Sequence, residues 1–132
     1  MLSYEELKEY FKGTDAYLCG GGARSIMGLA PMPPNDWDVL LNNPADIIPD
    51  IPGARGETCF GGVRFIDAKV DVWHDNVGHS LHTCRWHEKA VAIHLATGCV
   101  MGTEEFFDGY TGEVTTREIR VPAPRGYPGR GT

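Results

Sequence analysis

The chain has 132 residues, 42% of them hydrophobic and 23% charged, which is enough apolar side chain for one compact domain and too little chain for two. Its 12 Lys and Arg against 18 Asp and Glu leave a net charge of −6, so its body is not expected to grip a phosphate backbone without regard to sequence. No apolar run approaches the roughly 18–20 residues that cross a bilayer, and the acidic start Met1-Leu2-Ser3-Tyr4-Glu5-Glu6 lacks the zones of a signal peptide, so a cytoplasmic protein with no membrane partner is expected.

Ser3-x-x-Glu6 reads as a capping box, and Tyr4, Leu7, Tyr10 and Phe11 share one face ahead of Gly13, which predicts a first helix over 4–12. Residues 16–19 predict a short buried strand ending at Gly20-Gly21-Gly22, and 23–29 have helical composition. The prolines of 30–35 predict a stiff extended loop, followed by a strand over 36–41. A Pro- and Gly-bearing loop over 42–56 leads to strands near 58–66 and 69–73, paired as a hairpin about Asp67-Ala68. In 89–95, Val91, Ile93 and Leu95 alternate as a strand does, while Ala-rich 88–96 also suits a helix; Thr97-Gly98 before Cys99-Val100-Met101 favours a second hairpin. Residues 103–108 predict a short helix bounded by Gly109 and Gly112.

These elements add up to an α+β fold: a mixed, mostly antiparallel sheet of about five strands with helices on one face. A single domain spans 1–121, and 122–132 form a Pro/Gly-rich basic tail with little to bury. Charge follows the same division, since 1–114 hold 8 basic and 17 acidic side chains whereas 115–132 hold 4 basic and 1 acidic. Cys19, Cys59, Cys84 and Cys99 are scattered with no C-x-x-C, and free thiols are expected.

The chemistry is concentrated in Asn35-Asp36-Trp37-Asp38-Val39-Leu40-Leu41. Residues two apart on a strand leave the same face about 7 Å apart, so Asp36 and Asp38 can converge on one cation. Held that close, two like charges repel unless a divalent ion neutralises them, and hard oxygen ligands suit Mg²⁺ or Mn²⁺. An isolated D-x-D is more often a solvated strand edge. Asp71 shifts that balance: in Lys69-Val70-Asp71-Val72-Trp73 the valines face the core and Asp71 the other side, offering a third carboxylate on a neighbouring strand. Asp67 and Asp75 are rivals for that place, at turns where Asp is common.

Gly20-Gly21-Gly22, between strand and helix, lets backbone approach a phosphate closely, and Arg24 stands one turn further on. The stretch is neither a complete dinucleotide fingerprint, because Ser25 stands at the third Gly, nor a Walker loop, because no G-K-[ST] follows. A competing cluster, His74, His79, His82, Cys84 and His87, places five possible zinc ligands within 14 residues at no standard spacing.

The order of strand, glycines, short helix with Arg, Pro-bearing loop, D-x-D strand and later acidic strand resembles the polymerase-beta-like nucleotidyltransferase superfamily. Within it, the chain is similar to the head domain of class II CCA-adding enzymes and bacterial poly(A) polymerases. Their G-G-x-V-R-D-x-L-L-G followed by D-[IW]-D is echoed by Gly20-Gly-Gly-Ala-Arg-Ser-Ile-Met-Gly28 and by Asp36-Trp-Asp38. Their N-A-L-A-Y-D…G-E-L-I-D is echoed by residues 89–101. Ser25 departs from the family's Asp, and Lys89 stands where Asn is usual.

The resemblance implies a nucleotidyltransferase palm that moves a nucleoside monophosphate from an NTP, ATP among them, to an acceptor hydroxyl, in a head-only form. It implies that Gly20 and Gly21 cradle the triphosphate with help from Arg24, and that Asp36, Asp38 and Asp71 bind Mg²⁺ or Mn²⁺ and act as the catalytic residues. The acceptor stays open among an RNA 3′ end, a protein and a small molecule, as does a homo-oligomer or partner protein. The alternatives are a catalytically silent nucleotide-binding or regulatory module and a zinc-bearing interaction domain.

Overall fold

The computed structural model describes residues 1–59, 61–114 and 116–122. The predicted tail therefore lies outside the described residues except for Pro122. Helix α1 (Tyr4–Tyr10) starts on the capping box: the Ser3 hydroxyl accepts from the Glu6 N–H at 3.1 Å, and the Glu6 carboxylate accepts from the Ser3 N–H at 3.0 Å. The helix buries Leu7 in the core against the sheet, and Phe11, the residue that follows the helix, is buried there too. Strand β1 (Ala16–Cys19) passes directly into α2 (Gly20–Ile26), so the glycines are the first turn of the helix rather than a loop before it. Only such small residues let the helix sit this low, since a Cβ on Gly22 would lie 3.0 Å from the Trp37 ring and 3.1 Å from a Leu18 methyl.

The chain continues through β2 (Trp37–Leu41), β3 (Arg55–Glu57), β4 (Val63–Phe65) and β5 (Val70–His74). Next come α3 (Val77–His82), a 3₁₀ turn (His87–Lys89), β6 (Val91–His94), β7 (Val100–Thr103), α4 (Glu104–Gly109) and β8 (Glu118–Val121). Among the described residues all strands join one sheet in the order β3-β4-β5-β2-β1-β6-β7-β8. Neighbours are antiparallel except β2 with β5 and β7 with β8, so the expectation of a mixed, mostly antiparallel sheet holds.

Two parts of the expected architecture are corrected. The sheet has eight strands, not about five. The stretch predicted as one strand over 58–66 contains a turn, in which Thr58 and Gly62 exchange backbone and hydroxyl hydrogen bonds and Gly61 takes a φ of +77°, so β3 and β4 form a hairpin. At the far edge, Ile119 and Val121 alternate with Glu118 and Arg120 and add β8, a strand short enough to be missed within a basic terminus.

Nor are the helices on one face. Leu7, Phe11, Ala23, Phe106 and Phe107 from α1, the turn after it, α2 and α4 pack with Leu18, Val39, Leu41, Val72 and Ile93. Val77 and Leu81 of α3 pack instead with Tyr17, Leu40, Ala92 and Val121, the alternate residues of the same strands and hence the opposite face. No helix among the described residues is long and apolar enough to cross a membrane.

Candidate functional site

The parallel register of β2 and β5 makes Asp38 and Asp71 direct partners. In turn Arg64 of β4 is the partner of Asp71, and Cys19 of β1 the partner of Asp38, so Cys19, Asp38, Asp71 and Arg64 run in a row across four strands. The alternation that buries Val39, Val70, Val72 and Phe65 on one face projects this row from the other. Asp36 stands one residue ahead of β2, where the Trp37 N–H is held by the Lys69 carbonyl at 2.8 Å. Trp37 itself is buried and donates its indole N–H to the Leu2 carbonyl at 2.8 Å, which fixes the residue between the two aspartates.

Arg64 ties the cluster together. Its Nη2 donates to Asp36 Oδ1 at 2.9 Å and its Nη1 to Asp71 Oδ1 at 3.0 Å, the guanidinium fork spanning two carboxylates at once. Asp38 stands beside them with its acid raised from 3.8 to about 6, first by burial and then by repulsion from Asp71 and Asp36, with Arg64 opposing. Three carboxylates thus share one resident cation.

Two hollows meet at Asp38. One, of about 300 Å³, is lined by Gly21, Ser25, Pro31, Asn35, Asp36 and Asp38. Its Pro loop is anchored by the Ser25 hydroxyl, which donates to the Pro31 carbonyl at 2.9 Å. The other, of about 560 Å³, lies on the β4, β5 and α3 side and is lined by Asp38, Glu57, Arg64, Asp71, Trp73 and Asp75, among others. Gly20 opens α2 at a φ of +60°, and a Cβ there would stand 3.5 Å from Asp38 Oδ2.

Asp36, Asp38 and Asp71 are therefore brought together, with Gly20 and Gly21 beside them. Arg24 is not brought into the same hollow. It lines a separate one of about 250 Å³ with Glu88, Lys89 and Tyr110, and its Nη2 lies 3.6 Å from where a Gly21 Cβ would be. Of the rival acids, Asp75 lines the larger hollow, whereas Asp67 accepts from the Ala54 N–H at 3.2 Å in the β-hairpin region. Arg64 is the functional candidate that the sequence reading overlooked. Its signal was present in Val63-Arg64-Phe65, where the aromatic faces the core and the cation must face the side of Asp71.

The His cluster is dispersed among different partners. His74 meets the Asp46 carbonyl at 2.7 Å and His82 the Pro122 carbonyl at 2.6 Å. His87 is buried between Glu105 (3.1 Å) and the His82 carbonyl (2.7 Å). As they stand, no three His, Cys, Asp or Glu side chains among the described residues are arranged to hold a metal ion. For the aspartates the donor chemistry suits a hard divalent cation, while one oxygen of Asp36 and one of Asp71 are engaged by Arg64. Comparison of the chain with known protein families, with curated proteins and with solved structures finds no match.

Proposed function

We propose that the chain is a metal-dependent nucleotidyltransferase. The observation that carries this reading is the pairing of Asp38 with Asp71 on parallel neighbouring strands, with Asp36 alongside, at the boundary of two hollows. A hard divalent ion, Mg²⁺ or Mn²⁺, held by these carboxylates would supply charge neutralisation at phosphorus. Gly20 and Gly21 would receive the triphosphate on the side of the Pro loop. The acceptor hydroxyl would enter from the β4, β5 and α3 side and attack the α-phosphorus, Asp71 taking its proton and pyrophosphate leaving.

Arg24, whose Nη2 already stands beside Gly21, would serve the triphosphate from the neighbouring hollow. The acceptor, whether an RNA end, a protein or a small molecule, is to be found by experiment, as is any homo-oligomer or partner protein. A second reading, a module that binds a nucleotide without turning it over, is favoured by Arg64, which already balances two of the three carboxylates.

The deciding experiment follows label from α-labelled NTPs, with a thermal-shift series of the four NTPs with and without Mg²⁺. The enzyme reading expects Mg²⁺-dependent stabilisation and label transfer that Asp36→Asn and Asp38→Asn each abolish while the fold is kept. Stabilisation without pyrophosphate release would establish the silent module, and full transfer by both variants would sink the assignment of the aspartates.

A further inference from the structure

Resting on the nucleotidyltransferase reading, we infer that Arg64 is a built-in competitor of the divalent ion: a positioning residue that holds Asp36 and Asp71 around Asp38 and must leave them before metal binds. The two contacts of 2.9 and 3.0 Å use one oxygen of each carboxylate and place the guanidinium charge between the side chains that would share an ion. A planar fork suits two separated carboxylates, and it neutralises repulsion that would otherwise open the cluster. Arg64 therefore keeps the donors near their working places and keeps the ion out at the same time.

The exit route is also present. Arg64 is 34% exposed and comes from a strand of three residues, so its side chain is not locked into the core. Glu57 and Asp75 line the same 560 Å³ hollow and offer carboxylates toward which a displaced guanidinium can turn. Asp38 lines both hollows and makes no ion pair with Arg64 among the described residues, so an arriving cation can reach it while Arg64 still holds the other two carboxylates. Displacement exchanges one cation for another and leaves the sheet register unchanged, because Asp38 and Asp71 are held by the β2–β5 ladder and not by Arg64.

The test measures Mn²⁺ binding to the full chain by titration calorimetry and by electron paramagnetic resonance, for the wild type, Arg64→Gln, Arg64→Lys and Asp38→Asn. Two half-exposed charge-assisted contacts at the upper end of the usual range predict that Arg64→Gln binds Mn²⁺ about ten-fold more tightly than the wild type. Arg64→Lys, whose single ammonium cannot fork, is expected to fall between them, and it carries the test if the Gln variant does not fold. Arg64→Gln should also melt earlier without metal and gain more from Mn²⁺, a crossover that a purely structural arginine would not produce. Equal or weaker Mn²⁺ binding by both Arg64 variants overturns the competitor role and leaves the metal-site reading standing. Absence of binding by every chain, or binding that Asp38→Asn does not weaken, overturns the metal-site reading itself.

Discussion

Asp38 on β2 is the register partner of Asp71 on β5, two carboxylates from distant parts of the chain set side by side by a parallel ladder. Parallel strands hold such pairs without help from a tight turn, because each strand is buried by its neighbours. Here Trp37, Val39, Val70 and Val72 are each no more than 1% exposed, and that packing bears the strain of the like charges beside them.

A cost of that arrangement is visible against pH. Asp38 titrates near 6 in the folded chain and near 3.8 when unfolded, so between these values the folded state binds a proton that the unfolded state has lost. Stability is expected to fall as pH rises from about 4 to about 6 and then to level off. Removing the charge in Asp38→Asn should stabilise the metal-free chain at pH 7 by about 1–2 kcal/mol, the full shift being discounted for partial exposure. Chemical denaturation of both chains at pH 4 and pH 7 checks this, and the gain should vanish at the lower pH.

Asp71→Asn keeps the shape of the pair and the hydrogen-bonding capacity toward Arg64 but removes a charge. Label transfer should drop by at least about 10²-fold, the order seen when a group that acts in proton transfer is removed, while thermal stability changes little. Single-turnover rates together with a melting curve measure both quantities. Retention of more than a tenth of the rate would take Asp71 out of the chemistry.

Gly22→Ala should destabilise the fold by about 1–3 kcal/mol. The new methyl would sit 3.0 Å from the Trp37 ring and 3.1 Å from a Leu18 methyl, so two fully buried side chains would have to shift to admit it. Because Trp37 separates Asp36 from Asp38, the same substitution should also weaken nucleotide stabilisation. Urea titration followed by a nucleotide thermal shift reads the two effects in one sample.

Thiol reactivity offers an independent check on the site's walls. Burial pushes the Cys19 thiol up to about 12, with further contributions from Asp38 and Asp75, whereas Cys59 is exposed beside the larger hollow. At pH 8 a thiol reagent should modify exposed Cys59 within minutes and part-buried Cys19, whose thiolate is disfavoured, far more slowly, a difference that peptide mapping resolves. Equal rates at the two thiols would overturn the upward shift of the Cys19 thiol.

Much of the site was legible in the chain because it rests on short-range pattern. The capping box at Ser3 and Glu6, the strand ending at Cys19 and the alternation around Asp38 and Asp71 all use local rules that burial then enforces. What escaped was weak locally or set by tertiary contact. Helix α3 has a cap, Asn76 accepting the His79 N–H at 2.8 Å, and one apolar pair, Val77 and Leu81, but it spans only six residues, and its place on the second face of the sheet is set by packing. The hairpin about Asp67-Ala68 holds and its register sets Arg64 opposite Asp71, but the fork that also reaches Asp36 depends on β2 lying beside β5, which no local pattern shows. Arg24, by contrast, matched a motif but lines a separate hollow with Glu88 and Lys89.

The β3–β4 hairpin lies entirely within the connection that carries the chain from β2 to β5. That makes it an interchangeable cassette: its length and its side chains can vary while the spacing of Asp38 and Asp71 stays fixed by strands outside it. A chain grafted with a hairpin lacking a cation at position 64 would keep the carboxylates and lose their internal counterion. Sensitivity to metal could in this way be retuned by exchanging one outlying segment, with the core of the domain left as it is.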